Sequence, residues 1–421
     1  MGETVGEGGT GTLRSLGELS SDVIRAMHDH SFRRQASEQE HTNPAMARAN
    51  LANLDHTAPV PSDTQARLLL DTAFFGGLLE EEGRRATFTL AFVSPASVAE
   101  KSDLDALVFA KPLPLSPKRL AKLAPAAHPG ATYVGVFPNA GGELEIWGLV
   151  HRGDRTFGVD LEIDPWFLRV RAHRPGTLSG HYIGGLLFLY TRGAVHFFQA
   201  RYDLLGVLRE RFRVGEDDGE VAQVICRLVR RLLDHGHGGA LLIVTHGVSP
   251  KALRFHESYG PADQRCTMLR AAVRAYEDDL GGRGSTKQTP EKAVHERYRR
   301  ERRYVDALGF VAQLTAVDGA TVLDDELHLL GFGAIIVTTD APDDIVVRVE
   351  NVYTGGTETM RVSDFPGTRH RSAIQFCASQ PDDTLGVALV ASQDGQLSVF
   401  AKAPENRTVI ALRSFELGLG I

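Results

Sequence analysis

The stretch Gly367-Thr368-Arg369-His370-Arg371-Ser372-Ala373 sets two arginines around a histidine, directly after a Gly-Thr pair and directly before small residues that open an apolar run. A turn of this composition can aim backbone N–H groups, a hydroxyl and two guanidinium forks at one point. Arginine matches phosphate oxygens bidentately and does not lose its charge, so the chemistry suggested is polyphosphate binding. A basic surface turn has the same composition, and the stretch alone does not separate the two. A second candidate, Asp318-Gly319-Ala320, follows the apolar segment Phe310–Leu314 and precedes Thr321-Val322-Leu323, a short run of β type. An Asp-Gly pair between apolar segments is also an ordinary turn. His235 and His237 stand where a helix should end. There they can bind a metal or meet the last carbonyls of the helix, and no third ligand is evident.

The elements that must position these residues read as two α/β regions behind a polar leader. Residues 1–65 are rich in Gly, Ser, Thr, Asn and charge, with a short helix expected over Leu13–His28. Gly6-Glu7-Gly8-Gly9-Thr10-Gly11 has the spacing of a dinucleotide fingerprint but no strand before it, so it reads as a flexible segment. A helix is expected over Ala66–Leu79, with Glu80–Arg85 as a solvated charged turn. Strand-like runs follow at Phe88–Val93, Leu107–Phe109, Thr132–Phe137, Leu144–Val150, Thr156–Ile163 and Phe167–Arg171. A Pro-rich connection, Lys111–Pro117, precedes a short helix at Leu120–Ala126, and a further helix is expected across Tyr202–Arg213. Residues 66–215 carry no catalytic set of their own; His181, His196, Trp147 and Trp166 read as packed or edge residues. The acidic turn Gly215–Glu220 marks the boundary and opens an amphipathic helix with Val221, Val224, Ile225, Leu228 and Leu232 on one face. Gly239–Val244 continues as a buried strand. Leu253–Ala275 has helical spacing, and Glu291–Leu308 is a helix whose Arg297, Arg299, Arg300, Arg302 and Arg303 read as a solvated charged face.

Four signals stand in order along the second region: Gly239-Ala240-Leu241-Leu242-Ile243-Val244, Asp318-Gly319-Ala320, Gly367-Thr368-Arg369-His370-Arg371, and Val387–Ser398 with its turn at Ser392-Gln393. Together they resemble the diadenylate cyclase domain found at the N-terminus of the DNA-integrity scanning protein. The region ahead of it is similar to the sensor-like domains (DACNV-type) that some such proteins carry. The resemblance implies an α/β fold: a cyclase-like mixed sheet flanked by helices over 216–415, preceded by a separate α/β or α+β regulatory domain over 66–215. It implies condensation of two ATP into cyclic di-AMP with loss of two pyrophosphates. Each such domain holds one ATP, so two copies must face each other, as a homodimer or higher oligomer.

Carried over residue by residue, Asp318 would bind Mg²⁺ or Mn²⁺ beside the attacking hydroxyl, while Gly319 and Ala320 line the nucleotide. Gly367, Thr368, Arg369, His370, Arg371 and Ser372 would grip the triphosphate, the Arg-His-Arg set catalytically, and Ser392 would lie near the base and phosphate. Two departures stand out. The family commonly has a carboxylate after that serine, where this chain has Gln393, a much weaker metal ligand. Asp394 follows, but an adjacent strand residue points to the opposite face. Residues 245–303 and 340–366 are longer than the compact family pattern. A nucleotide-binding sensor without efficient turnover is therefore the alternative to an active cyclase.

Bulk properties agree with this frame. The chain has 421 residues, 43% apolar and 24% charged, with a formal net charge of -7. That balance opposes a non-specific nucleic-acid binder. Three cysteines, Cys226, Cys266 and Cys377, have no paired spacing and suggest a reducing, cytoplasmic setting. No basic-then-apolar leader, membrane-length apolar run or Walker A sequence is present, so neither a secretory signal, a membrane span nor a P-loop ATPase is expected.

Overall fold

The computed structural model describes residues 20–27, 59–100, 104–127, 131–152, 166–182, 185–191, 193–197, 204–215, 219–234, 237–246, 253–255, 266–280, 290–337, 345–351, 356–381, 384–393, 395–403 and 408–415. Contacts divide the chain into two units, the first drawn from residues up to Arg201 and the second from Tyr202–Leu419. Both mix helices with a large sheet, giving the expected α/β class.

In the first unit a helix over residues 20–27 (α1) is followed by α2, Asp63–Gly76. Ser62 starts α2 with a capping box: its Oγ accepts from the Gln65 N–H, and the Gln65 side chain accepts from the Ser62 N–H. The charged run after it forms a hairpin, β1 (Glu80–Glu81) and β2 (Arg84–Arg85), rather than a plain turn; Glu82 and Gly83 at positive φ reverse the chain between them. Then come β3 (Phe88–Phe92), α3 (Pro95–Ala99), β4 (Leu104–Pro114), α4 (Pro117–Leu123), β5 (Thr132–Pro138), β6 (Leu144–Arg152), β7 (Leu168–Arg174), β8 (Thr177–Tyr182), β9 (Gly185–Thr191) and β10 (Ala194–Phe197). Eight of these strands form one sheet in the order β10-β9-β8-β7-β3-β5-β6-β4, with β3 and β5 parallel.

The segment Lys111–Pro114 belongs to β4 and not to a connection. Its prolines are tolerated because β4 is the sheet's edge and pairs on one side only, with β6. The core of this unit packs Leu69, Leu70 and Ala73 of α2 against Phe88, Leu90, Val134, Ile146, Val170 and Phe188, and Val23 and Met27 of α1 join it. Trp147 lies in a smaller cluster on Val98, Tyr133 and Phe167, and its indole N–H donates to the Val93 carbonyl at 2.8 Å. The strand expected at Thr156–Ile163 lies outside the described residues.

The second unit begins earlier than the acidic turn suggests. A short helical stretch, Leu204–Gly206, widens into a π-type turn over Val207–Arg211. Leu204, Val207, Leu208, Phe212 and Val214 are buried, and the segment packs on α5 (Gly219–Asp234), which places it with the second unit. There follow β11 (Gly239–Val244), β12 (Leu253–Arg254), α6 (Met268–Leu280), α7 (Pro290–Leu314), β13 (Ala320–Asp324), β14 (Leu329–Ile336), β15 (Val346–Glu350), β16 (Thr357–Arg361), α8 (Thr368–Ser379), β17 (Gly386–Ala391), β18 (Leu397–Lys402) and β19 (Thr408–Arg413). Within the stretch Leu253–Ala275 expected to be helical, Leu253–Arg254 form a two-residue strand and a helix starts at Met268, while residues 256–265 lie outside the described residues.

Nine strands align as β12-β14-β13-β11-β17-β18-β19-β15-β16. β11 runs parallel to β13 and β15 parallel to β19, while the other neighbours are antiparallel. Central strands β11, β13 and β17 are buried along their whole length, as strands covered on both faces must be. α8 packs Ala373, Ile374, Phe376 and Cys377 into the core built by β17, β18 and β19. Of the arginines of α7, Arg297, Arg299, Arg302 and Arg303 are exposed, and the half-buried Arg300 pairs with Glu296 one helix turn away at 3.4 Å. Among the described residues no helix is long and apolar enough to cross a membrane.

Candidate functional site

The Gly-Thr-Arg-His-Arg stretch is the N-cap and first turn of a helix, with Gly367 and Thr368 exposed. Gly367 is the N-cap of α8 at φ +86, a conformation that L side chains resist. The helix forms because Ala373, Ile374, Phe376 and Cys377 recur at helical spacing and bury together. The first backbone bond into this helix runs from the Arg371 N–H to the Gly367 carbonyl at 3.2 Å. Among the described residues no side chain caps the N-terminus, so the N–H groups of Thr368, Arg369 and His370 point out of the helix at its positive end.

Arg369 brings this helix end to the sheet. A Cβ built on Gly238, which sits at φ +68, would lie 3.1 Å from Arg369 Nη1, 3.0 Å from the Ala391 carbonyl oxygen and 3.0 Å from the Gln393 backbone nitrogen. The guanidinium, the start of β11 and the end of β17 therefore meet at one spot, where the positive φ and the close approach favour glycine at 238. Among the described residues Arg369 makes no hydrogen bond or ion pair, and its charge remains available to a ligand. Ser392, in the turn beside it, accepts from the Gln396 N–H through Oγ at 3.1 Å and donates its own N–H to the Gln396 carbonyl at 2.9 Å. Its hydroxyl proton is not used by either bond.

Asp318, Gly319 and Ala320 open β13, which is parallel to β11 and in register with it, so they lie at the same end of the sheet. Two strand spacings separate β13 from β17, roughly 10 Å. Asp318 is exposed, and Oδ1 accepts the neighbouring Gly319 N–H at 3.1 Å. Gly319 is required for a reason internal to the sheet. At φ +101, its added Cβ would fall 2.6 Å from the Gly333 carbonyl carbon and 2.9 Å from the Ala334 oxygen. Ala320 is buried in the core at 3% exposure, so only its backbone can face a ligand.

His370, between the two arginines, turns inward. The His370 ring lies 5.9 Å from the Phe365 ring and 5.8 Å from the Phe400 ring, centroid to centroid. Burial, with the nearby Arg413 charge, lowers its pKa to about 4, so the ring is neutral near pH 7. It positions the helix end and contributes no positive charge. Arg413 stacks over the other residue of this pair, 5.4 Å from the Phe365 centroid. Arg371 Nη1 reaches the Phe365 carbonyl at 3.4 Å, a weak tie between the helix and the preceding loop. Thr368 is exposed and Ser372 half-buried on the same helix. Gln393 is exposed, while Asp394 and His235 lie outside the described residues; His237 is exposed.

Sequence reasoning passed over two things here. Gly238 gave no signal because its role depends on residues 131 and more positions downstream. At the opposite end of β11 and β13, His246, Asp324, Glu326 and His328 also converge, through the pattern Asp324-x-Glu326-x-His328 and a strand-terminal histidine.

The first unit has a counterpart among known families. Residues 55–151 match the probable sensor domain DACNV. The match runs from just before α2 to the end of β6, entirely inside the first unit and its eight-stranded sheet. The first unit thus contains a region similar to a probable sensor domain. No curated protein matches the chain.

Proposed function

We propose that the protein is a sensor-regulated diadenylate cyclase, its second unit condensing two ATP into one cyclic di-AMP and two pyrophosphates. The observation that carries the reading is the meeting of Arg369, the uncapped N-terminus of α8, Gly238 and the 391–393 turn at one sheet end, with Asp318 at the same end. A helix N-terminus and a guanidinium with no hydrogen-bond or ion-pair partner among the described residues suit a triphosphate, whose charge they offset together. The DACNV match in the first unit supports the regulatory half.

In this reading Arg369 and the N–H groups of Thr368 and Arg369 hold phosphate oxygens, and Arg371 ties the helix start to the Phe365 loop. The neutral His370 fixes the angle of that start. The Ser392 hydroxyl donates to the nucleotide. Asp318 has the donor type and exposure for Mg²⁺ or Mn²⁺, ions that commonly take one or two carboxylates and draw the rest of their shell from phosphates and water. When bound, the ion neutralises charge on the phosphates. In each half-reaction a ribose 3′-oxygen bonds to the α-phosphorus of the other ATP, the bond to the β-phosphate oxygen breaks, and pyrophosphate leaves; the hydroxyl proton passes to solvent. One site per chain requires a second chain facing it, so the active species is a homodimer or larger.

Gln393 favours a second reading, a nucleotide-binding sensor that does not turn over, because an amide stands where a carboxylate would help hold the ion. Titration of ATP into the full chain tests the site itself. ATP should bind more tightly than AMP, and Arg369→Ala should weaken ATP without much change for AMP. Equal affinity for the two nucleotides would remove the triphosphate from this helix end.

A further inference from the structure

A second group of side chains, at the far end of β11 and β13 from Asp318, has the chemistry of a transition-metal centre. Asp324 closes β13 and is fully buried. Its Oδ1 accepts the backbone N–H of Glu326 at 3.1 Å and of His328 at 2.8 Å, which fixes the tight turn to β14. Its Oδ2 accepts from two imidazoles, His246 Nδ1 at 2.7 Å and His328 Nδ1 at 3.0 Å. Burial alone would raise the Asp324 pKa, but these bonds outweigh it and the carboxyl lies below its ordinary value. A carboxylate receiving both Nδ1–H groups selects the tautomer of both rings, whose neutral form carries its lone pair on Nε2. This is the arrangement by which an outer carboxylate orients metal-binding histidines.

The third donor is Glu326. Its Oε1 lies 4.0 Å from His246 Nε2, and one ligand atom from each of His246, Glu326 and His328 falls within 4.8 Å of the others. The turn enforces this grouping. Leu327 sits at φ +66 with its side chain fully buried, which anchors the hairpin tip between Glu326 and His328. The His246 backbone is tied to the same hairpin, its N–H donating to Asp325 Oδ1 at 2.7 Å. Ligands around a tetrahedral zinc stand roughly 3.4 Å apart, so the three side chains need to close by about an ångström. Glu326 and His246 are 44% and 38% exposed and have the freedom to do so.

The bland account is a hydrogen-bonded turn, Asp324 capping the hairpin with two rings as ornaments. It explains the backbone bonds to Oδ1. It does not explain why both rings give Nδ1 to a single oxygen while a carboxylate stands beside a ring's Nε2.

We propose that His246, His328 and Glu326 bind one divalent transition-metal ion of the zinc class, with Asp324 orienting the two histidines and at least one coordination position left for water. Two imidazoles and one carboxylate select such an ion over Mg²⁺, which prefers an all-oxygen shell. The site is separate from the nucleotide end. The four residue steps from Ala320 to Asp324 along β13 span about 13 Å, and its occupancy does not depend on ATP.

The test uses the full chain without nucleotide, stripped of metal and titrated with Co²⁺ as a spectroscopic probe and then with Zn²⁺. One equivalent should bind, with visible Co²⁺ bands of four- or five-coordinate character, and Zn²⁺ should displace it. Glu326→Gln changes an exposed hairpin tip and should keep the fold by circular dichroism while weakening Zn²⁺ about tenfold or more. The double variant His246→Gln/Glu326→Gln should abolish the bands. An absence of stoichiometric binding in the unaltered chain would overturn the proposal. So would equal affinity in the folded double variant, since the ion would then lie elsewhere.

Discussion

Acidification from pH 7 to pH 5 should destabilise the second unit by an amount traceable to His370. The ring lies against Phe365 and Phe400, and burial with the Arg413 charge lowers its pKa from 6.5 to about 4. The native state thus binds fewer protons than the unfolded chain between those values. Stability from this residue is full above pH 6.5 and is lost as pH falls towards 4. At about 1.4 kcal/mol per pH unit, the span from 6.5 to 5 gives roughly 2 kcal/mol. The ring is only partly buried, and solvent screening trims this to about 1–1.5 kcal/mol. His370→Phe keeps a ring in place and removes the titration, so the variant should lack this component whatever its own stability. Urea unfolding of both proteins at both pH values measures the difference. Both tryptophans, Trp147 and Trp166, lie in the first unit, so their fluorescence reports that unit alone. The long helices α5, α7 and α8 belong to the second, whose unfolding dominates the far-ultraviolet circular dichroism. The dichroism midpoint of the unaltered chain should fall roughly 0.5 M further than that of His370→Phe on acidification, for a slope of about 2 kcal/mol per molar. Equal falls would mean that His370 is not held neutral between the two phenyl rings, and its assignment as a positioning residue would fail.

Gly319→Ala should destabilise the second unit by about 3 kcal/mol or more, because strain at φ +101 and collision with the β14 backbone both oppose a Cβ; a loss under about 1 kcal/mol by urea titration would contradict the close approach. Arg369→Ala should weaken ATP by about 10- to 100-fold while leaving unfolding midpoints nearly unchanged, since one charge-assisted bond set to the ligand is lost from a half-buried residue that makes no hydrogen bond or ion pair among the described residues. Calorimetric titration checks it. Trp147→Phe should cost the first unit about 1–3 kcal/mol, through the indole bond to the Val93 carbonyl and lost packing over Gly135. Tryptophan fluorescence from Trp166 would follow that unfolding.

The sequence made the strands legible where burial repeats locally. Phe88–Phe92, Leu144–Arg152 and Gly239–Val244 stand close to where apolar runs predict them. It misled where the decisive contact is distant. Lys111–Pro114 looks like a connection until its place at a sheet edge is known, and nothing local distinguishes edge from centre. The Leu204–Val214 segment precedes an acidic turn that resembles a boundary, yet its buried face belongs with α5. At the candidate site, the residue types pointed to phosphate chemistry, but their directions depended on the fold. Arg369 faces Gly238 and the 391–393 turn, whereas His370 is drawn inward by two phenyl rings from elements before and after it. Gly319 appeared as a ligand-facing glycine, and the backbone of β14 supplies an independent reason for it. The histidines at 246 and 328 drew no notice because they are 82 positions apart and meet only through Asp324.

The central claim is the synthesis of cyclic di-AMP, and the most direct measurement follows product and pyrophosphate from ATP with Mn²⁺ or Mg²⁺, using the full chain and Asp318→Asn side by side. The account predicts one cyclic dinucleotide and two pyrophosphates for every two ATP consumed, with Asp318→Asn still binding ATP but forming no product. ATP bound by the unaltered chain without either product, at concentrations where it dimerises, would contradict the cyclase and leave the nucleotide-binding sensor in its place.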